Sequence, residues 1–152
     1  RGHLPARRER GLGDGRLRLA EAPEAAYGLL VLDAFSSDAI PVHLLTREAF
    51  DLYFKHLKPG GVLAIHITNL HLELADPVRN LAEAFGRNAY RVDHSPDIGV
   101  FHSYYSDWVL ITSDPAFISA LEGSGRITAW DREEPLPIHW TDGYSNLFEV
   151  AF

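Results

Sequence analysis

Leu29-Leu30-Val31-Leu32-Asp33-Ala34-Phe35-Ser36-Ser37-Asp38-Ala39-Ile40-Pro41 is the stretch from which the rest of the chain is best read. An apolar run ends abruptly in an acid; small and hydroxyl residues follow, then a second acid and a proline. A short unbroken apolar run is characteristic of a parallel strand buried on both faces, because neither side of its pleat meets water. Ligands of open α/β sheets bind just outside the carboxyl ends of such strands. Asp33 occupies that place and is the first candidate for chemistry.

Working outward, the strand is expected over about Tyr27 to Leu32. A short helix precedes it, from Arg16 to Ala22, stopped before Pro23. Downstream, Thr46 has the chemistry of a helix N-cap. Phe50, Tyr53, Phe54 and Leu57 then recur at helical spacing. Lys58-Pro59-Gly60-Gly61 is expected to end that helix, and Val62 to Ile67 to form a second buried strand. Asp76-Pro77 is expected to cap and start the next helix, with Val78, Leu81, Ala82 and Phe85 on its apolar face and Gly86 as its stop. A short strand over Ala89 to Val92, an irregular stretch from Asp93 to Ser106 and a strong strand over Trp108 to Thr112 follow. Asp114-Pro115 starts a short helix, residues 123–137 are a surface connection, and Leu147 to Phe152 is expected as a closing strand. The alternation is that of an α/β protein that begins parallel and ends with an antiparallel element. It resembles the second half of a doubly wound nucleotide-binding sheet.

Bulk properties narrow the function. The 152 residues suffice for one domain with a real core. A formal charge of −7 disfavours nonspecific contact with nucleic acid or an anionic membrane. Without cysteine the chain has no disulfide, thiolate metal site or thiol nucleophile. No apolar run approaches the ~20 residues that span a bilayer, and no signal-peptide pattern is present; a cytoplasmic location is expected. The eight histidines, His66 and His71 included, read as scattered rather than as a metal set, so no metal is expected. The chain opens on Arg1 and has no methionine, which suggests a processed product, a subcloned piece or a fragment. Residues 1–10 are expected to be a poorly ordered lead-in.

Gly13-Asp14-Gly15-Arg16, Leu29 to Asp33, Ser36-Ser37-Asp38, Leu45-Thr46-Arg47-Glu48 and Leu57 to Leu63 together form a pattern that resembles the spermidine synthases. Those polyamine aminopropyltransferases have the Rossmann-like fold of class I S-adenosylmethionine-dependent methyltransferases. The closer resemblance is to bacterial spermidine synthase-like proteins, in which Asp-Ala-Phe-Ser-Ser-Asp-Ala-Ile-Pro and Trp-Thr-Asp-x-Tyr-Ser-Asn recur. Both motifs are present, at Asp33 to Pro41 and Trp140 to Asn146. The resemblance implies that residues 11–152 are the C-terminal portion of such a domain, with the first strands and the glycine-rich nucleotide loop absent and antiparallel late strands present.

The resemblance also implies roles. Asp33 takes the place of the catalytic carboxylate, and Asp14, with Gly15, that of the contact to the nucleoside's adenine. Substrate contacts are implied for Ser36, Asp38, Tyr105 and Asp142. In the family the two strand-end acids have two residues between them; here Asp33 and Asp38 have four. A gap-free alignment puts Ser36 in the second acid's place, whereas alignment on Ser-Ser-Asp makes two residues an insertion.

The expected reaction is aminopropyl transfer from decarboxylated S-adenosylmethionine, a co-substrate rather than a resident cofactor, to a small amine, with little turnover from this chain alone. Methyl transfer from S-adenosylmethionine on the same fold is one alternative. A noncatalytic domain that forms a homodimer through its sheet edge is the other. Partners are expected to be an amine and a nucleoside, not nucleic acid or membrane.

Overall fold

The computed structural model describes residues 14–34, 41–69, 71–95 and 105–151. Its elements are α1 (Gly15–Ala20), β1 (Tyr27–Leu32), α2 (Arg47–His56), β2 (Leu57–His66), α3 (Ala75–Ala84), β3 (Asn88–His94), β4 (Ser106–Thr112) and α4 (Pro115–Gly123). The four strands form one sheet in the order β1-β2-β4-β3. β1 and β2 are parallel, and β4 runs antiparallel to both β2 and β3. The fold is therefore α/β and Rossmann-like, with the antiparallel late strand that the alternation of elements implied.

Helix starts follow local chemistry. Asp14 caps α1, Thr46 caps α2 and Asp114 caps α4, each by accepting a backbone N–H of the first turn. α2 lays Ala49, Phe50 and Tyr53 against the sheet, and α3 adds Val78, Leu81 and Ala82. Opposite them stand Leu63 and Ile65 of β2 and Val109 and Ile111 of β4, all with no exposed surface. Each of these larger side chains contributes on the order of 1.5–3 kcal/mol by leaving water. Trp140 closes this layer from the far end of the chain, and its carbonyl accepts the Arg47 N–H at the start of α2 (2.9 Å).

Four expectations are corrected. β1 is not buried on both faces: Leu30 and Leu32 pack on the core, but Leu29 is 56% and Val31 53% exposed. It is an edge strand with one open face among the described residues, and a continuous apolar run does not distinguish that case. Lys58-Pro59-Gly60-Gly61 does not stop α2, which ends at His56; it is the first part of β2. The strand bulges there, since Tyr27 pairs with Leu57 whereas Leu29 pairs with Val62. Gly60 takes a φ of 74°, and a Cβ at Gly61 would lie 2.9 Å from the Lys58 carbonyl oxygen, which accounts for both glycines. Asp76 does not cap α3. It lies inside the first turn, with Leu74 at the cap position, and accepts from Arg132 and the Leu136 N–H instead. Finally, the closing segment is a 3-10 turn over Leu147–Val150, not a strand. The Asn146 side chain accepts the Phe148 N–H and turns the backbone, and Ala151 makes an isolated bridge to Leu72.

Among the described residues no helix is long and apolar enough to cross a membrane.

Candidate functional site

The carboxyl ends of β1 and β2 lie side by side. Leu32 pairs with Ile65, so the next residues, Asp33 and His66, are neighbours across the strands. His66 Nδ1 is 2.7 Å from Asp33 Oδ1. Because β4 is antiparallel, its amino end reaches the same edge. Trp108, paired with His66 in the ladder, stacks on the imidazole with ring centroids 4.7 Å apart and planes 21° from parallel. An ionised carboxylate can only accept, so Nδ1 carries the hydrogen in this pair and donates it to Asp33. His66 Nε2 is sealed from solvent and has no hydrogen-bond partner among the described residues. A buried polar atom in that condition costs on the order of 1–3 kcal/mol, and no other described side chain carries one.

Asp33 also borders a cleft of about 310 Å³ between α1 and β1. Gly15, Arg16 and Leu19 line one side, Leu30 to Ala34 the other, with Leu44 and Tyr53 beneath. The walls are mostly apolar, and Asp33 supplies the carboxylate at the edge. The Tyr53 hydroxyl, donated to the Leu44 carbonyl (3.0 Å), is held protonated by burial, which pushes its pKa up. The structure thus brings Asp33 and Gly15 to one space.

Asp14 stands at the cap of the helix that starts the cleft. Its Oδ1 accepts the Arg16 N–H at 2.8 Å, and this bond holds the carboxyl below its ordinary pKa; His43 lies 3.2 Å from the other oxygen. Asp142 is held by its neighbours. Arg16 donates to both of its oxygens, at 2.7 and 2.6 Å, and Thr46 donates at 2.7 Å. These bonds, Arg16 first, lower its pKa to about 2. Asp142 therefore ties the C-terminal segment to the starts of α1 and α2 and fixes the Arg16 wall of the cleft. Tyr105 lies at the sheet edge beside Asp107, its hydroxyl 3.5 Å from Oδ2, and burial raises its pKa. Ser36 and Asp38 lie outside the described residues, as do residues 1–10.

Two residues of this arrangement escape a linear reading. His66 read as one scattered histidine among eight, yet it ends the apolar run Val62 to Ile65 as Asp33 ends Leu29 to Leu32. Two runs joined by one helix form neighbouring parallel strands, so their terminal polar residues meet. Arg16 gave no such signal, because its partner is 126 residues away.

No protein-family model matches the chain, and no curated protein matches it. Among solved structures it is similar to TTHA0409 of Thermus thermophilus, provisionally assigned as a DNA modification methylase. The match has 19% identity and a TM-score of 0.47 over 68% of this chain and 52% of that one. The same protein complexed with S-adenosyl-L-methionine matches at 20% identity and a TM-score of 0.48, over 68% and 54%. The match spans about half the length of those proteins. A likeness at this level carries no inference about reaction; the fold rests on the sheet topology above.

Proposed function

We propose that this domain transfers a carbon group from an S-adenosylmethionine-type sulfonium to an amine at the carboxyl edge of β1. One observation carries the reading: Gly15, at the start of α1, and Asp33, at the end of β1, border the same largely apolar cleft. A flat, mostly apolar nucleoside suits such walls, and a carboxylate at the rim suits a cationic amine. In this reading the adenosine part lies against Leu30, Leu32 and Leu44, with Asp14 accepting from the adenine amino group. Asp33 holds the incoming ammonium and takes its proton. The freed nitrogen lone pair attacks the carbon bonded to sulfur. The carbon–sulfur bond breaks, its electron pair stays on sulfur as a neutral thioether, and the proton passes from the exposed carboxylate to water.

The donor decides the product. We favour methyl transfer from S-adenosylmethionine, because Asp33 is the sole carboxylate among the described residues lining the cleft. A diamine would present a second ammonium for a second acid to hold. Aminopropyl transfer from decarboxylated S-adenosylmethionine is the second reading. It is supported by the motifs at Asp33 to Pro41 and Trp140 to Asn146, and by Asp38 as the available second acid.

The test is to supply the natural full-length protein with each donor in turn, together with putrescine, and to follow the nucleoside product. S-adenosylhomocysteine marks methyl transfer; methylthioadenosine with spermidine marks aminopropyl transfer. Neither product, from protein shown to bind the donors, contradicts the proposal. A mass that rises with concentration and no nucleoside binding would instead favour a noncatalytic domain joined through the open edge of β1.

A further inference from the structure

We infer that His66 is a positioning residue for Asp33: its Nδ1–H clamps one carboxylate oxygen and leaves the other to meet the nucleophile. What Asp33 then does rests on the function proposed above; the clamp itself does not.

The two members of the pair are built for different tasks. The Asp33 side chain is 59% exposed and borders the cleft, whereas that of His66 is 15% exposed and is not among the cleft's lining residues. The imidazole is held from two directions, by Asp33 at 2.7 Å and by the face of Trp108. A ring so fixed presents one donor at one place. Its other nitrogen, Nε2, is closed off from solvent, which argues against a direct role as base toward a substrate in the cleft. The nearest other carboxylate along β4, Asp107, is taken up by the Arg91 guanidinium and does not compete for the ring. A free carboxylate at a strand end would rotate among several rotamers. With Oδ1 clamped, Oδ2 is held in one direction, and orientation of a reacting group is worth a large share of rate.

Two measurements test this. The first is the tautomer of His66, read from long-range ¹H–¹⁵N correlations on the 152-residue chain at a pH where the imidazole is neutral. The expected form is Nδ1–H, and the preference should weaken in Asp33→Ala. A neutral ring protonated at Nε2 would overturn the clamp whether or not the protein is a transferase.

The second uses side-chain shape in the full-length protein. The amide nitrogen of asparagine can take the place of Nδ1, and that of glutamine the place of Nε2. His66→Asn should keep kcat within about 3-fold of wild type, while His66→Ala and His66→Gln should lower it by about 100-fold. KM for the donor should stay unchanged in all three. If Asn is as defective as Ala while Gln is active, Nε2 is the working atom and the inference is wrong. Loss of donor binding together with kcat would mark a merely structural residue and would equally overturn it.

Discussion

Two carboxylates at one edge of the sheet have opposite fates. Asp107 sits near the amino end of β4, 7% exposed, and takes three hydrogen bonds from Arg91, at 3.1, 3.0 and 2.7 Å. Arg91 uses its remaining reach on Asp131 at 2.6 Å, and its bonds to Asp107 raise its pKa further. Asp33, just beyond β1, is 59% exposed and has a single side-chain partner among the described residues, at 2.7 Å. The first group has its bonding capacity filled and holds β3 to β4. The second retains lone pairs at the rim of a cleft. A strand-end acid is thus better judged by what its neighbours leave unused than by its position alone.

The largest expected effect separates these two acids by activity. Asp33→Asn in the full-length protein should lower kcat by about 10²–10⁴-fold, the usual contribution of a positioned proton acceptor. Urea unfolding of the same variant should differ from wild type by no more than about 1 kcal/mol, as for an exposed pair. Arg91→Ala should reverse the pattern. It leaves Asp107 buried without its cation, and a broken buried pair costs about 3–5 kcal/mol, readable as a lower urea midpoint. An Arg91→Ala protein as stable as wild type would erase the contrast.

Thr46→Ala should cost about 0.5–2 kcal/mol in urea unfolding, through the lost cap on the Ala49 N–H. It also removes a donor to Asp142. The smallest effect is in acid. The folded pKa of Asp142, about 2, lies below its ordinary 3.8, so its stabilisation is fully present above about 3.8 and is lost as the pH falls through about 2. With the carboxylate 44% exposed, solvent screens much of the effect. Acid unfolding followed by circular dichroism should be flatter across that window in Asp142→Asn; an unchanged profile would show that the Arg16 staple contributes nothing.

Much of this was legible in the residues. The run Leu29 to Leu32 ending in Asp33 placed the strand and its acid together, because an apolar run needs at least one covered face and the first polar residue marks where the run ends. Thr46 and Asp114 announced helix starts for an equally local reason. What was not legible depends on more than one segment. Whether Leu29 and Val31 are covered is decided by other parts of a protein, not by their own run. Lys58 to Gly61 reads as a helix stop until the pairing with β1 shows a bulge. The Asn146 cap beat the strand propensity of Leu147 to Phe152. That Arg16 and Thr46 hold Asp142 is a tertiary fact, absent from its own segment. His66 lay between these cases, recoverable from the topology but not from spacing.

In the proposed function the cleft between α1 and β1 receives the nucleoside beside Asp33. An NMR titration of ¹⁵N-labelled 152-residue chain with methylthioadenosine tests it without requiring turnover. The expected shift changes fall on Gly15, Arg16, Leu19, Leu30 to Ala34 and Leu44, and saturate together. No change at saturating ligand, or changes that leave the cleft untouched and collect elsewhere, would contradict the account.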